Sequence, residues 1–124
     1  MLKILIIDDD PAFCKVLEAL LKEEGFYVRS AHDGREGLNV LRQEGGWVIL
    51  LDLMMPLLDG YAVLQTLQSD RVLLDGNKVV VMSAATPLSH ESHLKAALAP
   101  VFLPKPFDLD DLLEVVNRLV LSAV

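Results

Sequence analysis

Apolar residues along the chain follow two alternating patterns, short continuous runs and longer stretches with helical spacing. The runs have the length of β-strands, and three of them are apolar at nearly every position, as in strands that are covered on both faces. The runs comprise Lys3–Ile7, Tyr27–Ala31, Trp47–Leu51, Lys78–Met82 and Val101–Leu103. The sequence therefore predicts five strands, of which the second alternates more and is expected to be less buried.

Between and after these runs, the apolar residues recur at the spacing of one face of an α-helix. Phe13, Leu17 and Leu21 lie on one face of a predicted helix that has Asp10 as its N-cap and Gly25 just past its end. The predicted helices comprise 11–24, about 35–44, about 61–69, a segment from Pro87 or Ser89 to before Pro100, and a segment after Asp108.

These elements repeat a βα unit five times within 124 residues. Strand–helix alternation predicts a parallel sheet with right-handed crossovers and helices on both faces. The architecture of this size is a flavodoxin-like (βα)5 doubly wound sandwich, an α/β fold with strand order 2-1-3-4-5. The length suits one domain, so we expect residues 1–124 to form a single domain with no output domain.

Composition narrows the classes of function. Of all residues 52% are hydrophobic, and Cys14 is the single cysteine, which excludes an internal disulfide and fits a reducing compartment. The 11 basic residues are scattered and outnumbered by 18 acidic ones, which argues against direct nucleic-acid binding. No segment has the length of a membrane span and the N-terminus does not resemble a signal peptide, so we expect a cytoplasmic protein without membrane insertion.

Chemistry-bearing residues follow four of the predicted strands. Asp8 and Asp9 follow the first, Asp52 the third, Ser83 the fourth and Lys105 the fifth. Because a doubly wound sheet binds ligands at the carboxyl ends of its strands, these side chains are expected at one rim. Carboxylates in close proximity repel each other unless a cation or a proton intervenes, and Mg²⁺ is the hard divalent cation that suits them.

Asp52 is the candidate nucleophile of this rim. A carboxylate can form an acyl phosphate, and a divalent cation together with Lys105 would stabilise the charge on the transferring phosphoryl group. Ser83 could donate a hydrogen bond to a phosphoryl oxygen, and the small Ala84 beside it would leave the nucleophile accessible.

Four segments resemble the receiver domain of two-component response regulators, and the resemblance covers the whole chain. None is specific alone, whereas their order and spacing together are highly specific. The matching segments are 4–10, 50–56 with Asp59 and Gly60, 80–84 and 103–107.

The resemblance implies a role for each matching residue. Asp52 would accept a phosphoryl group from a phosphohistidine, and Lys105 would pair with that group. Asp9 and Asp52 would bind Mg²⁺ directly, with Mn²⁺ as a second cation that the site could accept. The remaining implied roles comprise Asp8 as a metal ligand through water, the backbone carbonyl of Met54 as the third protein ligand, Ser83 and Ala84 as phosphoryl-binding residues, Phe102 as the switch aromatic, Pro56 and Gly60 as residues that shape the following loop, and Pro106 after a cis peptide bond.

The resemblance also implies the biological setting. Expected partners are a sensor histidine kinase or phosphotransfer protein and a downstream protein or fused output domain. The protein would be a switch and not an enzyme, with at most self-phosphorylation from small phosphodonors and slow self-dephosphorylation. Phosphorylation would alter the surface of the predicted helix before Pro100, the fifth strand and the last helix.

Other interpretations stay open at this stage. The chain could be a pseudo-receiver that serves only as a binding scaffold, or an aspartyl-phosphate phosphatase, although Met54 stands where such phosphatases need a second acid. Phe102 could simply pack in its strand, and Asp59 could be only a turn or cap residue. Asp10 and Asp108 are better explained as helix caps than as ligands.

Overall fold

A computed structural model of the chain describes residues 2–53, 55, 59–83 and 101–122. Its five strands form one sheet in the order β2-β1-β3-β4-β5, and every described pair of neighbours is parallel. The strands are β1 (Lys3–Ile7), β2 (Tyr27–Ala31), β3 (Trp47–Asp52), β4 (Lys78–Ser83) and β5 (Val101–Pro104). The predicted strand number, direction and order are therefore confirmed.

Five helices are described along the chain. They are α1 (Pro11–Glu23), α2 (Gly34–Gln43), α3 (Gly60–Ser69), α4 (Arg71–Gly76) and α5 (Leu109–Ser122). The helix predicted between β4 and β5 falls within residues 84–100 and lies outside the described residues. None of the described helices combines the length and apolar content that crossing a bilayer requires.

The sheet is buried on both faces, which explains its continuous apolar strands. Along β1, Ile4 and Ile6 face the core beneath α1 and α5, whereas Leu5 and Ile7 face the core on the opposite side. All four side chains are 0% exposed. Because alternate residues of a strand point to opposite faces, a strand covered from both sides must be apolar at every position.

Helix ends follow the local signals that the sequence carries. Asp10 caps α1 by accepting hydrogen bonds from the backbone N–H groups of Ala12 and Phe13 at 3.1 and 3.2 Å. At the other end Gly25 has φ of +93°, which lets its N–H and that of Phe26 reach back to the last turn. Both predicted caps of α1 are therefore confirmed.

The short helix α4 was not predicted. Asp70 caps it by accepting from the N–H groups of Val72 and Leu73 at 3.1 and 3.3 Å, and Leu73 is only 4% exposed. Six residues make fewer than two turns, so they contain no helical repeat of apolar positions that could be recognised in the sequence.

Asn77, which follows α4, ties this helix to the start of β3. Its Oδ1 accepts from the N–H of Trp47 at 2.9 Å, and its Nδ2 donates to the carbonyl of Leu73 at 2.9 Å. Trp47 is 1% exposed, so its backbone N–H depends on this partner.

We expect Asn77→Ala to lower the free energy of unfolding by about 1–3 kcal/mol, because a buried N–H loses its acceptor. Urea unfolding followed by the fluorescence of Trp47 measures this change. The matched control is Asn117→Ala on the exposed face of α5, for which we expect a change within about 0.5 kcal/mol. Equal effects of the two substitutions would contradict this account.

Candidate functional site

The candidate site lies where β1, β3 and β5 end. Asp8 follows β1 and its N–H donates to the carbonyl of Ala31 at 3.0 Å, so the backbone of Asp8 continues the β1–β2 pairing. Asp52 is the last residue of β3, and Lys105 directly follows β5. Because parallel strands end at the same edge of a sheet, residues distant in sequence meet there.

Three carboxylates come together at this edge. One oxygen each of Asp8, Asp9 and Asp52 lies within 4.8 Å of the other two. Asp8 and Asp52 are only 1% and 7% exposed, whereas Asp9 is open to solvent. Negative charges this close repel each other strongly when two of them are withdrawn from water, so the arrangement requires cations.

Lys105 supplies part of the compensating charge. Its Nζ lies 2.7 Å from Oδ2 of Asp8 and 3.9 Å from Oδ2 of Asp52. One ammonium against three carboxylates leaves the cluster negative. The remaining charge and the all-oxygen donor set fit a hard divalent cation.

The fit to such a cation is also geometric. Ligands on opposite sides of Mg²⁺ lie about 4.2 Å apart, since each bond is about 2.1 Å long. The carboxylate oxygens of the cluster lie within 4.8 Å of one another, close to the separation between ligands of one ion. Asp8, Asp9 and Asp52 can therefore hold a divalent cation together with water.

Asp8 is oriented by the start of α1. Its Oδ1 accepts from the N–H of Asp10 at 3.0 Å, which leaves Oδ2 for Lys105. Asp10 itself caps α1 through its side chain, as described above. Within the triplet Asp8, Asp9 and Asp10, the third acid is thus structural, as predicted.

Beneath the site, Cys14 is held in a chemically inert form. Its Sγ donates to the carbonyl of Asp8 at 3.5 Å, and the side chain is 1% exposed. Burial raises the pKa of this thiol to about 11, and the negative charge of Asp8 contributes in the same direction. Cys14 is therefore protonated at neutral pH and packs as a small apolar residue.

Gly60 allows α3 to start directly against the end of β3. Its N–H donates to the carbonyl of Leu53 at 3.1 Å, and a Cβ at this position would lie 2.5 Å from the carbonyl oxygen of Asp52. The same Cβ would lie 2.5 Å from Cα of Leu53. Only glycine permits this approach of the two backbones. Asp59 beside it caps α3 by accepting from the N–H of Ala62 at 2.9 Å.

Phe102 and Pro106 lie on either side of Lys105. Phe102 belongs to β5 and is partly buried against the core on the α2 and α3 side of the sheet. The Lys105–Pro106 peptide bond is cis, as the resemblance implied. Met54, Pro56 and Ala84 lie outside the described residues, as does the side chain of Ser83, so their roles stay predictions.

Phe13 also belongs to the site, which the sequence did not indicate. The Nζ of Lys105 lies over its ring, 4.4 Å from the ring centroid. In the sequence Phe13 is simply one apolar position of an amphipathic helix. The contact arises because the first turn of α1 and the segment after β5 meet above the sheet, and no local pattern carries that information.

Comparison with known proteins gives the family. The sequence model of the response regulator receiver domain matches residues 4–117. The chain therefore belongs to the response regulator receiver domain family. Receiver domains are the signalling switches of two-component systems and are not classical enzymes.

Individual relatives agree with this assignment. The response regulator MprA of Mycobacterium avium is 35% identical over 119 residues, which are 96% of this chain and 51% of that protein. The chain thus spans about half the length of the curated relative.

Solved structures of receiver domains share the fold. A receiver domain from Francisella superposes with a TM-score of 0.87 at 30% identity and covers 100% of both chains. The response regulator TrrA of Thermotoga maritima, solved in complex with Mg²⁺-BeF, has a TM-score of 0.82 at 27% identity and covers 96% of this chain and 99% of that one.

We expect Gly60→Ala to lower the free energy of unfolding by about 1–3 kcal/mol, because the added Cβ meets backbone atoms of Asp52 and Leu53 that cannot rotate away. Urea unfolding measures the change. Gly76→Ala is the matched control, since a Cβ at the end of α4 meets nothing within 4 Å. A Gly60→Ala chain as stable as the Gly76→Ala chain would contradict the close approach.

Proposed function

We propose that this receiver domain accepts a phosphoryl group on Asp52 from the phosphohistidine of a sensor histidine kinase or phosphotransfer protein. The observation that carries the proposal is the convergence of Asp8, Asp9 and Asp52 with Lys105 at the carboxyl end of the sheet. A purely structural role does not explain three mutually repelling carboxylates, because burying two of them destabilises the fold.

In the proposed step, a carboxylate oxygen of Asp52 attacks the phosphorus of the phosphohistidine. The new O–P bond forms as the P–N bond breaks, and the imidazole that leaves takes up a proton from water. Lys105 lies close enough to Asp52 to pair with the negative charge of the phosphoryl group. Ser83, the last residue of β4, and Ala84, the next residue in the sequence, would contact the phosphoryl oxygens.

The transfer depends on Mg²⁺, with Mn²⁺ as an alternative. The cation supplies charge neutralisation between the carboxylates and the incoming phosphoryl group. Asp9 and Asp52 would hold it directly, Asp8 would do so through water, and the Met54 carbonyl would complete the protein ligands. TrrA was solved in complex with Mg²⁺-BeF, which supports Mg²⁺ as the cation.

Phosphorylation at Asp52 would be read at the surface that contains β5 and α5. Phe102 lies in β5, three residues before Lys105, and is only partly buried, so a change at the phosphoryl group can reach its ring. Pro56, Gly60 and Pro106 would shape the two loops beside the site. The output would be a downstream protein or a fused output domain.

The remaining parts of the proposal concern the context of the chain. We propose that residues 1–124 act as one receiver domain, that its location is cytoplasmic, and that it binds proteins and not nucleic acid. Small phosphodonors would phosphorylate it without a kinase, and dephosphorylation by the domain itself would be slow. The scaffold and phosphatase interpretations predict no stable adduct on Asp52.

Intact mass spectrometry after incubation with acetyl phosphate tests the acceptor. We expect a gain of about 80 Da that requires Mg²⁺ and is absent from Asp52→Asn, because the amide is a far weaker nucleophile than the carboxylate. The matched control is Asp10→Asn, which removes an adjacent charge but preserves the helix cap, and we expect it to form the adduct. An adduct on Asp52→Asn would refute the proposal. So would a wild-type chain that forms no adduct with acetyl phosphate and none with a panel of histidine kinases.

Isothermal titration calorimetry tests the cation site. We expect Asp9→Asn to weaken Mg²⁺ binding at least about tenfold, because a direct ionic ligand becomes a neutral amide. Asp10→Asn again serves as the control and is expected to bind within about twofold of the wild type. We choose heat rather than tryptophan fluorescence as the signal, because Trp47 lies at the opposite end of β3 from Asp52. The two residues are about 17 Å apart along the strand. Equal affinities of the Asp9→Asn and wild-type chains would contradict the assignment of Asp9.

A further inference from the structure

The side chain of Lys105 has a third neighbour besides the two carboxylates. Its Nζ lies 4.4 Å from the ring centroid of Phe13, 2.7 Å from Oδ2 of Asp8 and 3.9 Å from Oδ2 of Asp52. An ammonium within about 6 Å of an aromatic ring centroid is attracted to the electron-rich face of the ring. The side chain of Lys105 is 22% exposed, so water weakens this attraction only in part.

The ring is held in place by both elements that border the site. The N–H of Phe13 donates to Oδ1 of Asp10 at 3.2 Å, and the N–H of Asp10 donates to Asp8 at 3.0 Å. Phe107, two residues after Lys105, packs edge-to-face on Phe13 with ring centroids 6.1 Å apart and an angle of 85°. The same ring therefore contacts the segment that carries Lys105 and the helix turn that orients Asp8.

We propose that Phe13 is a positioning residue that keeps the ammonium of Lys105 on the Asp52 side of the site during phosphoryl transfer. A lysine side chain has four flexible methylene groups, and the ion pair with Asp8 at 2.7 Å is the nearest restraint on its ammonium. The face of Phe13 adds a second attraction without offering a hydrogen bond that would compete with the phosphoryl oxygens. This inference rests on the proposed function, in which Lys105 pairs with the phosphoryl group.

The test compares phosphorylation rates of variants with acetyl phosphate and Mg²⁺ by intact mass. We expect Phe13→Leu, which retains apolar bulk but has no aromatic face, to react about threefold to tenfold more slowly. Phe13→Tyr restores the aromatic face and should recover most of the rate. Phe26→Leu is the matched control, because Phe26 packs against the same core at the other end of α1, and its rate should stay within about twofold of the wild type.

A double-mutant cycle separates positioning from packing. In a Lys105→Gln background, Phe13→Leu should cause no further slowing, because the group that Phe13 positions is gone. If the two substitutions instead slow phosphorylation by independent factors that multiply in the double mutant, the proposal is overturned. An unchanged rate for Phe13→Leu, or equal slowing by Phe13→Leu and Phe26→Leu, would overturn it as well.

A spectroscopic measurement tests the contact between Phe13 and Lys105 without relying on phosphorylation. Protons above an aromatic face are shifted upfield by the ring current, so the Hε resonances of Lys105 should move downfield in Phe13→Leu and stay in place in Phe26→Leu. Absence of this movement overturns the positioning proposal. Failure of the wild-type chain to form any adduct, with the ring-current shift present, instead overturns the proposed function.

Discussion

The repulsion between the buried carboxylates of Asp8 and Asp52 is the constraint on which the rest of the site depends. Two acids withdrawn from water within 4.8 Å of each other are tolerated only when positive charge lies beside them. Lys105 provides one such charge and contacts both acids, yet it cannot balance them and Asp9 together. The excess negative charge favours a divalent cation, and in the proposed function that cation would make the rim receptive to a phosphoryl group. An acidic site would thus become a phosphate site through the cation that its own repulsion favours.

The parallel sheet is what brings these charges together. Asp8, Asp52 and Lys105 are separated by tens of residues, but each follows or ends a strand of the same parallel sheet, and the apolar side chains of β1 and β3 are buried on both faces. Burial sets the register of the strands, and the register sets which residues emerge at the carboxyl edge. The hydrophobic core therefore positions the charges by fixing the strands that carry them.

Much of this arrangement could be predicted from the sequence because the signals are local and strong. The run Ile4–Ile7 followed by two acids defines both a buried strand and its polar end, and Asp10 before Pro11 defines a helix start. The order of such units then implies one sheet and one rim. The short helix at 71–76 escaped prediction because it contains no full repeat, and its anchor Asn77 acts through contacts 30 residues away. The contact of Phe13 with Lys105 escaped for a related reason, since it joins segments that meet only in the folded chain.

The first turn of α1 illustrates how a helix start can contribute to chemistry without supplying a reacting group. Asp10 uses its side chain to cap the helix and its N–H to orient Asp8, and the same cap fixes the backbone of Phe13. Asp8 lies 2.7 Å from the ammonium of Lys105 and the ring centroid of Phe13 lies 4.4 Å from it. One charge and one aromatic face thus restrain a flexible cation, the charge from the end of β1 and the face from the first turn of α1. In the proposed function, the geometry of phosphoryl transfer at Asp52 would therefore depend on the packing of α1 against the segment after β5, and apolar residues outside the acidic cluster would share in setting it.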